Sequence, residues 1–418
     1  MPGVQRTAAR ASLVRTYAKG DAVADIGGSV EPGFEGVAEA FRANFDQHGE
    51  VGAAAAVYVA GHKVVDLWGG SADAAAGTPY TEDTLQLVFS TTKGATAACA
   101  NLLAQRGQLD VDAPVAEYWP EFKAAGKGDI PVRWLLCHKA GLPYVDATLT
   151  LEEALAWEPM VRALEAQEPV WEPGTAHGYH ATTFGWLVGE VVKRISGKSL
   201  GTFFHDEFAE PLGLEFWIGL PDEQQHRVAP LVQWGDPADQ DPAMAELLAQ
   251  FMGPDTLLGK ALGAPSFVFT NAEGGFNNPA IRAAEIPAAN GVTNARSLAR
   301  FYAALSGVVD GGPAEPILTA DQVAKACELQ TSGPDKCIFM DTTFGLGFFL
   351  ASVFAPYGGS RSFGHTGAGG SVGFTDPEHG IGFGYVMNKM MQGLNGDPRS
   401  SGLIRAVYDA VGVEPTFV

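Results

Sequence analysis

The sequence predicts an α+β fold, with an antiparallel sheet flanked by helices and an inserted, mainly helical domain. Strand-like apolar runs occur near both ends of the 418-residue chain, whereas the middle is richer in proline and tryptophan and shows helical periodicity. Apolar residues make up 46% of the chain, which suffices for a large core. Since strands from both ends can complete one sheet, we expect residues 1–107 and 291–418 to form one discontinuous α/β domain. Residues 108–290 would form the helical domain, with long loops.

The first part of the chain predicts two helices and a hairpin. Residues 1–30 are small, polar and glycine-containing, and we expect them to pack loosely. After them come aromatic residues at helical spacing, then two β-type runs joined by a Gly-His pair, then an alanine-rich run. The predicted elements are a helix from Phe34 to Phe45, strands from Ala53 to Ala60 and from Lys63 to Trp68, and a helix from Ser90 to about Gly107.

The rest of the chain predicts helices first and strands later. A capping box begins one helix at Thr150, and apolar residues at helical spacing predict another from Phe184 to Ile195. Residues 221–290 are irregular, which is typical of a lid or pocket wall. After Gly291 the pattern predicts helices from Ser297 to Leu305, after Thr319 and from Leu403 to Val411, and strands from Phe344 to Phe354, Ser362 to Thr366, Ser371 to Asp376 and Ile381 to Asn388.

Composition excludes several classes of partner. The net charge of −21 and the scattered basic residues argue against nucleic acid or an anionic membrane as a partner. No apolar stretch is long enough to span a bilayer and no signal peptide is evident, so we expect a soluble cytoplasmic protein. The four cysteines show no metal-ligand spacing. Cys99 and Cys137 are expected to be buried free thiols, although a pairing of any two cysteines stays open. We predict no cofactor and no metal, and the oligomeric state stays open.

The segment Ser90-Thr91-Thr92-Lys93 is the strongest chemical signal in the sequence. Ser90 is the only serine of the chain with a lysine three residues later. At the start of a helix the two side chains lie on one face, and a desolvated lysine can take the proton of a serine hydroxyl. Free N–H groups at a helix N-terminus also stabilise negative charge. We therefore predict Ser90 as a nucleophile and Lys93 as its base.

Two further segments could complete a site. Tyr179 lies in a Pro/Gly-containing loop before a helix, where its hydroxyl could pass a proton. A nearby ammonium is expected to lower the pKa of this phenol. The glycine-rich run from Gly364 to Ser371 lets a strand edge come close to a substrate and donate backbone N–H groups. Either segment alone could equally be structural.

Taken together, these segments resemble the serine β-lactamase-like superfamily, which includes class C β-lactamases, D-alanyl-D-alanine peptidases and family VIII carboxylesterases. Ser90 to Lys93 matches the S-x-x-K motif of that superfamily completely. Tyr179 stands where the family has Tyr-x-Asn, and His365-Thr366-Gly367 stands where class C enzymes have Lys-Thr-Gly. The segment from Leu135 to Pro143 is similar to the Leu-Leu-x-His-x-x-Gly-Leu-Pro loop of the family. The resemblance covers roughly residues 35–410 and implies a β-lactamase-like fold.

The resemblance also implies roles for individual residues. The backbone N–H groups of Ser90 and Ala368 would form an oxyanion hole. Residues expected to contact the substrate are His365, Thr366, Gly367, His180 and Asn290.

Two departures from the family pattern favour neutral substrates. The asparagine two residues after the tyrosine is Ala181, and the lysine of Lys-Thr-Gly is His365, which is mostly neutral near pH 7. Both changes remove groups that would bind a β-lactam or a peptide carboxylate. The sequence therefore predicts a serine carboxylesterase acting on short-chain carboxylic esters through an acyl-enzyme.

Several alternatives stay open at the level of sequence. A β-lactamase or a D-amino-acid amidase or peptidase could use the same residues, and an inactive ligand-binding module could keep the scaffold. The run from Gly369 to Gly373 matches the G-x-S-x-G elbow of α/β-hydrolases, a fold that needs an acid and then a histidine well downstream. Only 47 residues follow Ser371, and His379, the sole histidine among them, lies within the same predicted hairpin. His177 and His180 have no nearby carboxylate to complete a metal site, and we expect them to be loop residues.

Overall fold

Within the residues that the computed structural model describes (25–233, 253–391 and 396–417), ten antiparallel strands form one sheet. Its main path runs in the order β1-β3-β2-β13-β12-β11-β10-β9-β8, and β4 pairs with β3. A second, three-stranded sheet has the order β5-β7-β6. The strands are β1 (Ile26–Val30), β2 (Gly52–Val59), β3 (His62–Asp73), β4 (Thr78–Pro79), β5 (Gln86–Leu87), β6 (Phe216–Trp217), β7 (Val292–Thr293), β8 (Thr331–Pro334), β9 (Asp341–Phe344), β10 (Phe349–Leu350), β11 (Phe363–Thr366), β12 (Val372–Asp376) and β13 (Ile381–Met387).

The helices fall between and after these strands. The α-helices are α1 (Glu35–Gln47), α2 (Thr92–Gln105), α3 (Val115–Tyr118), α4 (Val132–Leu136), α5 (Leu151–Leu155), α6 (Glu158–Ala166), α7 (Thr183–Ser196), α8 (Leu200–Phe204), α9 (Glu210–Leu212), α10 (Leu257–Gly263), α11 (Val268–Asn271), α12 (Pro279–Ala283), α13 (Ala295–Ser306), α14 (Ala320–Ala326) and α15 (Pro398–Val411). Short 3₁₀ turns lie at Phe89–Thr91, Pro120–Lys123, Asp222–Arg227, Gly275–Asn277 and Ala368–Gly370, and a π-helical turn lies at His205–Ala209.

The central strands are buried on both faces because helices cover the sheet from both sides. In β13 the large side chains of Ile381, Phe383 and Tyr385 lie in one core cluster, which α1 and α15 also line. Gly382 and Gly384 point the other way, where an added Cβ would meet the backbone of α13. Since alternate residues of a strand face opposite sides, this pattern lets α13 pack directly on the sheet.

The core on the α13 side is continuous with the helical part of the chain. It extends from Ala54 and Ala56 of β2, through the apolar residues of α2, to Trp186 and Leu187 of α7. The helix α2 is therefore buried on all sides from Thr92 to Leu103. This placement puts the first turn of α2, which carries Lys93, inside the protein.

Most predicted elements are confirmed. The hairpin of β2 and β3 forms as expected, and Thr150 caps α5 with the reciprocal contact to Glu153. The sequence prediction that Phe344 to Phe354 is one strand is wrong. A turn at Gly345 and Gly347, in which the Gly345 amide bonds the Phe348 carbonyl and Gly347 has a φ of +87°, leaves only β9 and β10 on either side.

The strand at the edge of the sheet was not expected. Residues 26–30 were predicted to pack loosely, but Ile26–Val30 pairs with β3 at the sheet edge and its apolar side chains join the core. The division of the chain into residues 1–107 with 291–418 and an inserted 108–290 stays a prediction. Part of the irregular stretch 221–290, namely residues 234–252, lies outside the described residues.

The four cysteines are free, and Cys99, Cys137 and Cys337 are buried, which agrees with the expected thiols. In the described parts of the chain, no helix combines the length and the apolar character that a bilayer crossing requires.

Candidate active site

The 3₁₀ turn at Phe89–Thr91 presents Ser90 at the start of α2. Phe89 has a φ of +44°, an uncommon conformation for a residue with a side chain, and it turns the chain sharply before the helix. The Thr92 hydroxyl donates to the Phe89 carbonyl at 2.5 Å and accepts from the Gly291 amide at 2.8 Å. These contacts hold the turn rigidly, as a positioned nucleophile requires.

The Lys93 amine has three partners and no counter-ion. Its Nζ lies 2.6 Å from the Ala181 carbonyl, 2.9 Å from the Ala288 carbonyl and 3.1 Å from Ser90 Oγ. Lys93 is fully buried, and burial lowers its pKa well below the ordinary value because the charged form loses its hydration. Within the described residues, no carboxylate forms an ion pair with it.

This arrangement suits a neutral amine. A neutral amine has two N–H groups and one lone pair. The carbonyls of Ala181 and Ala288 can take the two N–H groups, which directs the lone pair of Lys93 towards the Ser90 hydroxyl. The amine is then oriented to accept a proton from Ser90.

The Tyr179 phenol meets the same two side chains. Its hydroxyl makes a hydrogen-bonding contact with Ser90, and the Lys93 amine lies 4.7 Å from the centre of its ring. The three residues predicted from sequence, Ser90, Lys93 and Tyr179, therefore lie together although 86 positions separate Lys93 from Tyr179 along the chain.

The expected fall in the phenol pKa is wrong. Burial raises the pKa of Tyr179, the Ser90 contact lowers it less, and the negative charge of Asp335 raises it further. Since Lys93 is itself deprotonated by burial, no ammonium is available to stabilise a phenolate. Tyr179 is thus a neutral hydroxyl that can donate or relay a proton.

The loop between β11 and β12 packs directly on the Ser90 turn. An added Cβ at Gly367 would overlap the Val88 carbonyl and the Ser371 hydroxyl, so only glycine permits this approach. The Ser371 hydroxyl donates to the Val88 carbonyl at 2.8 Å and lies 3.0 Å from Thr91 Oγ1. Ser371 is buried and has a structural role, as expected for a serine outside the reaction.

His365 cannot supply a positive charge to a substrate. Its ring is fully buried in β11, and Nδ1 lies 2.7 Å from the Thr366 carbonyl. Burial lowers its pKa well below the ordinary value. Nε2 has no hydrogen-bond partner among the described residues. The ring packs on Phe349 and faces Tyr179 at 6.1 Å between ring centres.

Two residues expected to contact the substrate are instead structural. His180 is fully buried, its Nδ1 lies 2.6 Å from the Gly178 carbonyl, and its Nε2 accepts from the Leu142 amide at 2.9 Å. Both ring nitrogens are occupied, so His180 has no free atom for a substrate. Asn290 is equally buried, and its amide bonds the backbone at Ile281, Ala284 and Ile286. Both expectations are corrected: these side chains hold loops in place.

The ring nitrogens of His177 and His180 all face other groups of the protein. The two nitrogens of His177 face Thr342 at 2.9 Å and Thr331 at 3.0 Å, and those of His180 face the backbone. Protein partners therefore take every ring nitrogen of the pair.

Sequence reasoning missed two buried polar residues beside the site. His138 packs on Tyr179 at 5.0 Å between ring centres, accepts the His180 amide at its Nδ1 and leaves Nε2 without a partner among the described residues. Burial lowers its pKa well below the ordinary value. Asp335 accepts the Tyr179 amide at 3.0 Å. The Leu135 to Pro143 segment contained a signal for His138, whereas Asp335 lies in an ordinary turn and had none.

Comparison with known proteins agrees with this geometry. A family model described as Beta-lactamase matches residues 37–401. Among curated relatives, "Esterase/beta-lactamase LipL" from Mycobacterium tuberculosis is 37% identical over 383 residues, covering 90% of this chain and 85% of the relative.

Solved structures are similar over the same extent. The crystal structure of a family VIII carboxylesterase has a TM-score of 0.79 at 38% identity, covering 92% of this chain and 99% of that one. A penicillin-binding protein homologue from Caulobacter crescentus has a TM-score of 0.80 at 36% identity, covering 92% and 100%. The similarity thus includes both the sheet and the helical part of the chain.

Proposed function

Since this chain belongs to the β-lactamase family, we propose that it is a family VIII-like serine carboxylesterase that cleaves short-chain carboxylic esters through an acyl-enzyme. The relatives of this chain support an esterase on the β-lactamase fold that acts as a serine hydrolase. The proposal that Ser90 forms an acyl-enzyme depends chiefly on one observation. The buried Lys93 amine is held by two backbone carbonyls and lies 3.1 Å from Ser90 Oγ, and burial lowers its pKa well below the ordinary value.

The first chemical step is attack by Ser90. Lys93 takes the hydroxyl proton while Ser90 Oγ bonds to the ester carbonyl carbon, and the carbonyl oxygen becomes an oxyanion. The backbone N–H groups of Ser90 and Ala368 would receive this oxyanion. Loss of one such donor typically lowers the rate by about 10²–10³.

The second step releases the alcohol. The proton held on Lys93 passes to the leaving oxygen through the Tyr179 hydroxyl, which accepts one proton as it donates another. The carbon–oxygen bond of the ester breaks and the acyl group stays on Ser90. Water then attacks the acyl-enzyme by the same path in reverse, with Lys93 as base, and frees the acid and Ser90.

The lining of the site favours uncharged substrates. The neutral, buried His365 offers no cation for a substrate carboxylate, and Ala181 offers no side-chain amide. The backbone carbonyl of Ala181 is already engaged by Lys93. Thr366 and Gly367, next to Ala368, are the strand-edge residues that would lie along the substrate.

A second activity, hydrolysis of β-lactams, is kept as a candidate because the curated relative carries both activities in its name. A D-alanyl-D-alanine peptidase would need a cation for the substrate carboxylate or a side-chain amide for its peptide group, and the neutral His365 and Ala181 argue against it.

The test is hydrolysis of p-nitrophenyl esters of graded chain length, with nitrocefin as the β-lactam. We expect turnover of acetate and butyrate esters, loss of turnover in Ser90→Ala and loss of most of the rate in Tyr179→Phe. The nucleophile and its proton relay are removed in these variants, while both substitutions keep the fold.

The matched control is Ser371→Ala, which removes a buried serine next to Ser90 that is hydrogen-bonded to the backbone. It should keep substantial turnover. Ester hydrolysis by Ser90→Ala at the wild-type rate would refute the proposal. No turnover of any ester by the wild-type protein would favour a binding module, and faster turnover of nitrocefin than of esters would favour a β-lactamase.

A further inference from the structure

We infer that Asp335, a residue outside the S-x-x-K, tyrosine and glycine-rich segments, is a positioning residue for Tyr179. This inference rests on the proposed role of Tyr179 in ester hydrolysis. It concerns how the phenol is held in place and kept protonated, since Asp335 itself does not touch the reacting atoms.

The Asp335 carboxylate joins two distant segments. Its Oδ1 accepts the Tyr179 amide at 3.0 Å, the Cys337 amide at 2.8 Å and the Ile338 amide at 3.1 Å. Its Oδ2 accepts the Thr342 hydroxyl at 3.2 Å. Asp335 is 2% exposed, so these donors replace the water that a carboxylate otherwise needs.

The two segments are linked at a second point nearby. The Lys336 amide donates to the His177 carbonyl at 3.0 Å, and Thr342 Oγ1 lies 2.9 Å from the His177 ring. The turn from Asp335 to Thr342 therefore holds the chain on both sides of Gly178. With its backbone fixed there, the Tyr179 ring has little freedom between Lys93 and the aromatic rings of Phe344 and Phe349.

The charge of Asp335 adds an effect that packing alone would not give. In the described parts of the chain no cation pairs with this carboxylate, so its negative charge acts on its surroundings without local compensation. That charge helps to keep the Tyr179 pKa raised. The phenol consequently stays in the protonated form that can donate to a leaving alcohol.

The experiment compares Asp335→Asn and Asp335→Ala. Asparagine keeps the size and one acceptor oxygen but removes the charge, whereas alanine removes both. For Asp335→Asn we expect kcat for p-nitrophenyl butyrate to fall about tenfold with little change in KM, because a neutral amide oxygen holds the Tyr179 N–H less strongly than a carboxylate does. For Asp335→Ala we expect a fall in kcat of about 100-fold, because Tyr179 also loses its position.

The matched control is Asp376→Asn in β12. Asp376 is equally buried and accepts the amides of Glu378 and His379 and the hydroxyl of Tyr408, away from the site. This variant should lose stability, yet keep the wild-type kcat and KM. An equal fall in kcat in Asp376→Asn would overturn the inference, because it would show a general effect of a lost buried charge.

Labelling of Ser90 by a fluorophosphonate separates this inference from the proposed function. The wild-type protein should be labelled, and Asp335→Asn should be labelled about tenfold more slowly, which requires no turnover. Labelling of both proteins at the same rate, with equal kcat, would overturn the role of Asp335 alone. A wild-type protein that is neither labelled nor active would overturn both.

Discussion

At the scale of the single residue, burial is the cause of the proposed chemistry of Lys93. The amine sits in a fully buried helix turn and bonds only to uncharged oxygens. Without a carboxylate to stabilise the ammonium, desolvation dominates and lowers the pKa. Under the proposed function, Lys93 can therefore act as the base without a second positive charge beside it.

A substitution that keeps N–H donors but cannot accept a proton tests this account. Lys93→Arg retains N–H donors for the two carbonyls, but a guanidinium cannot give up its proton in a protein. We expect kcat/KM for p-nitrophenyl butyrate to fall by about 10³. In the wild-type protein the same quantity should rise with pH through a pKa well below the ordinary lysine value, since only the deprotonated amine is active.

Lys127→Arg is the matched control, because Lys127 is also buried and also donates to two backbone carbonyls, those of Glu165 and Gln167. That variant should keep full activity. Comparable losses in both variants would show that arginine damages the fold and would contradict the assignment of Lys93 as base.

At the scale of the element, the loop between β11 and β12 is held from two directions. Ser371 ties it to the Ser90 turn through the Val88 carbonyl. On its other side, the buried Arg399 donates to the Gly369 carbonyl at 2.7 Å while it pairs with Glu50 and Asp397. The N–H of Ala368, one residue before the Gly369 anchor, is thereby held in place before any substrate arrives.

Gly367→Ala should disturb this loop sterically, without forcing the backbone into an unfavourable conformation. Gly367 has an ordinary φ of −117°, so the cost is steric: the new Cβ overlaps the Val88 carbonyl and the Ser371 hydroxyl. We expect kcat to fall by about 100-fold as the Ala368 N–H moves away from the oxyanion. Thermal unfolding should show a loss of about 1–3 kcal/mol from the overpacking.

Gly402→Ala in α15, where an added Cβ meets nothing within 4 Å, is the control and should be fully active. Wild-type kcat in Gly367→Ala would show that the loop does not position a catalytic N–H.

At the scale of the whole molecule, the interface between the sheet and the helical part buries several histidine side chains in the neutral form. His138, His180 and His365 are all buried, and desolvation lowers the pKa of each, that of His180 to about 3. They line the space around Tyr179 and Lys93. Their neutrality keeps the site free of fixed positive charge, and it has a consequence for the stability of the protein.

We expect stability to fall as the pH falls below about 6.5. In the unfolded chain each imidazole binds a proton near that pH, whereas the folded protein keeps it neutral until a much lower pH. The unfolded state then binds more protons, and each such histidine costs about 1.4 kcal/mol per pH unit below 6.5. Urea unfolding measured from pH 7.5 to 5 should show this slope.

His365→Asn should reduce the slope by the share of one histidine, whereas His226→Gln, at an exposed position, should leave it unchanged. An unaltered slope in His365→Asn would mean that this ring is charged in the folded protein.

Helices, strands and short motifs of this protein could be predicted from the sequence alone. Apolar runs predicted the central strands, the capping box predicted α5, and the spacing of Ser90 and Lys93 placed both at the start of one helix. Tyr179 and the glycine-rich loop were found because each is a short contiguous pattern. Such features depend on neighbours within a few residues, which a sequence states directly.

The contacts between distant segments, and their effects on pKa and orientation, became visible in the tertiary structure. The direction of the Tyr179 pKa, the structural roles of His180 and Asn290 and the contact of Asp335 with Tyr179 all depend on groups far apart in the chain. Asp335 and Tyr179 are 156 positions apart, and neither local sequence indicates that the two residues are in contact. Burial and hydrogen bonding are properties of the packed interior, and they fix protonation and orientation only once distant segments meet.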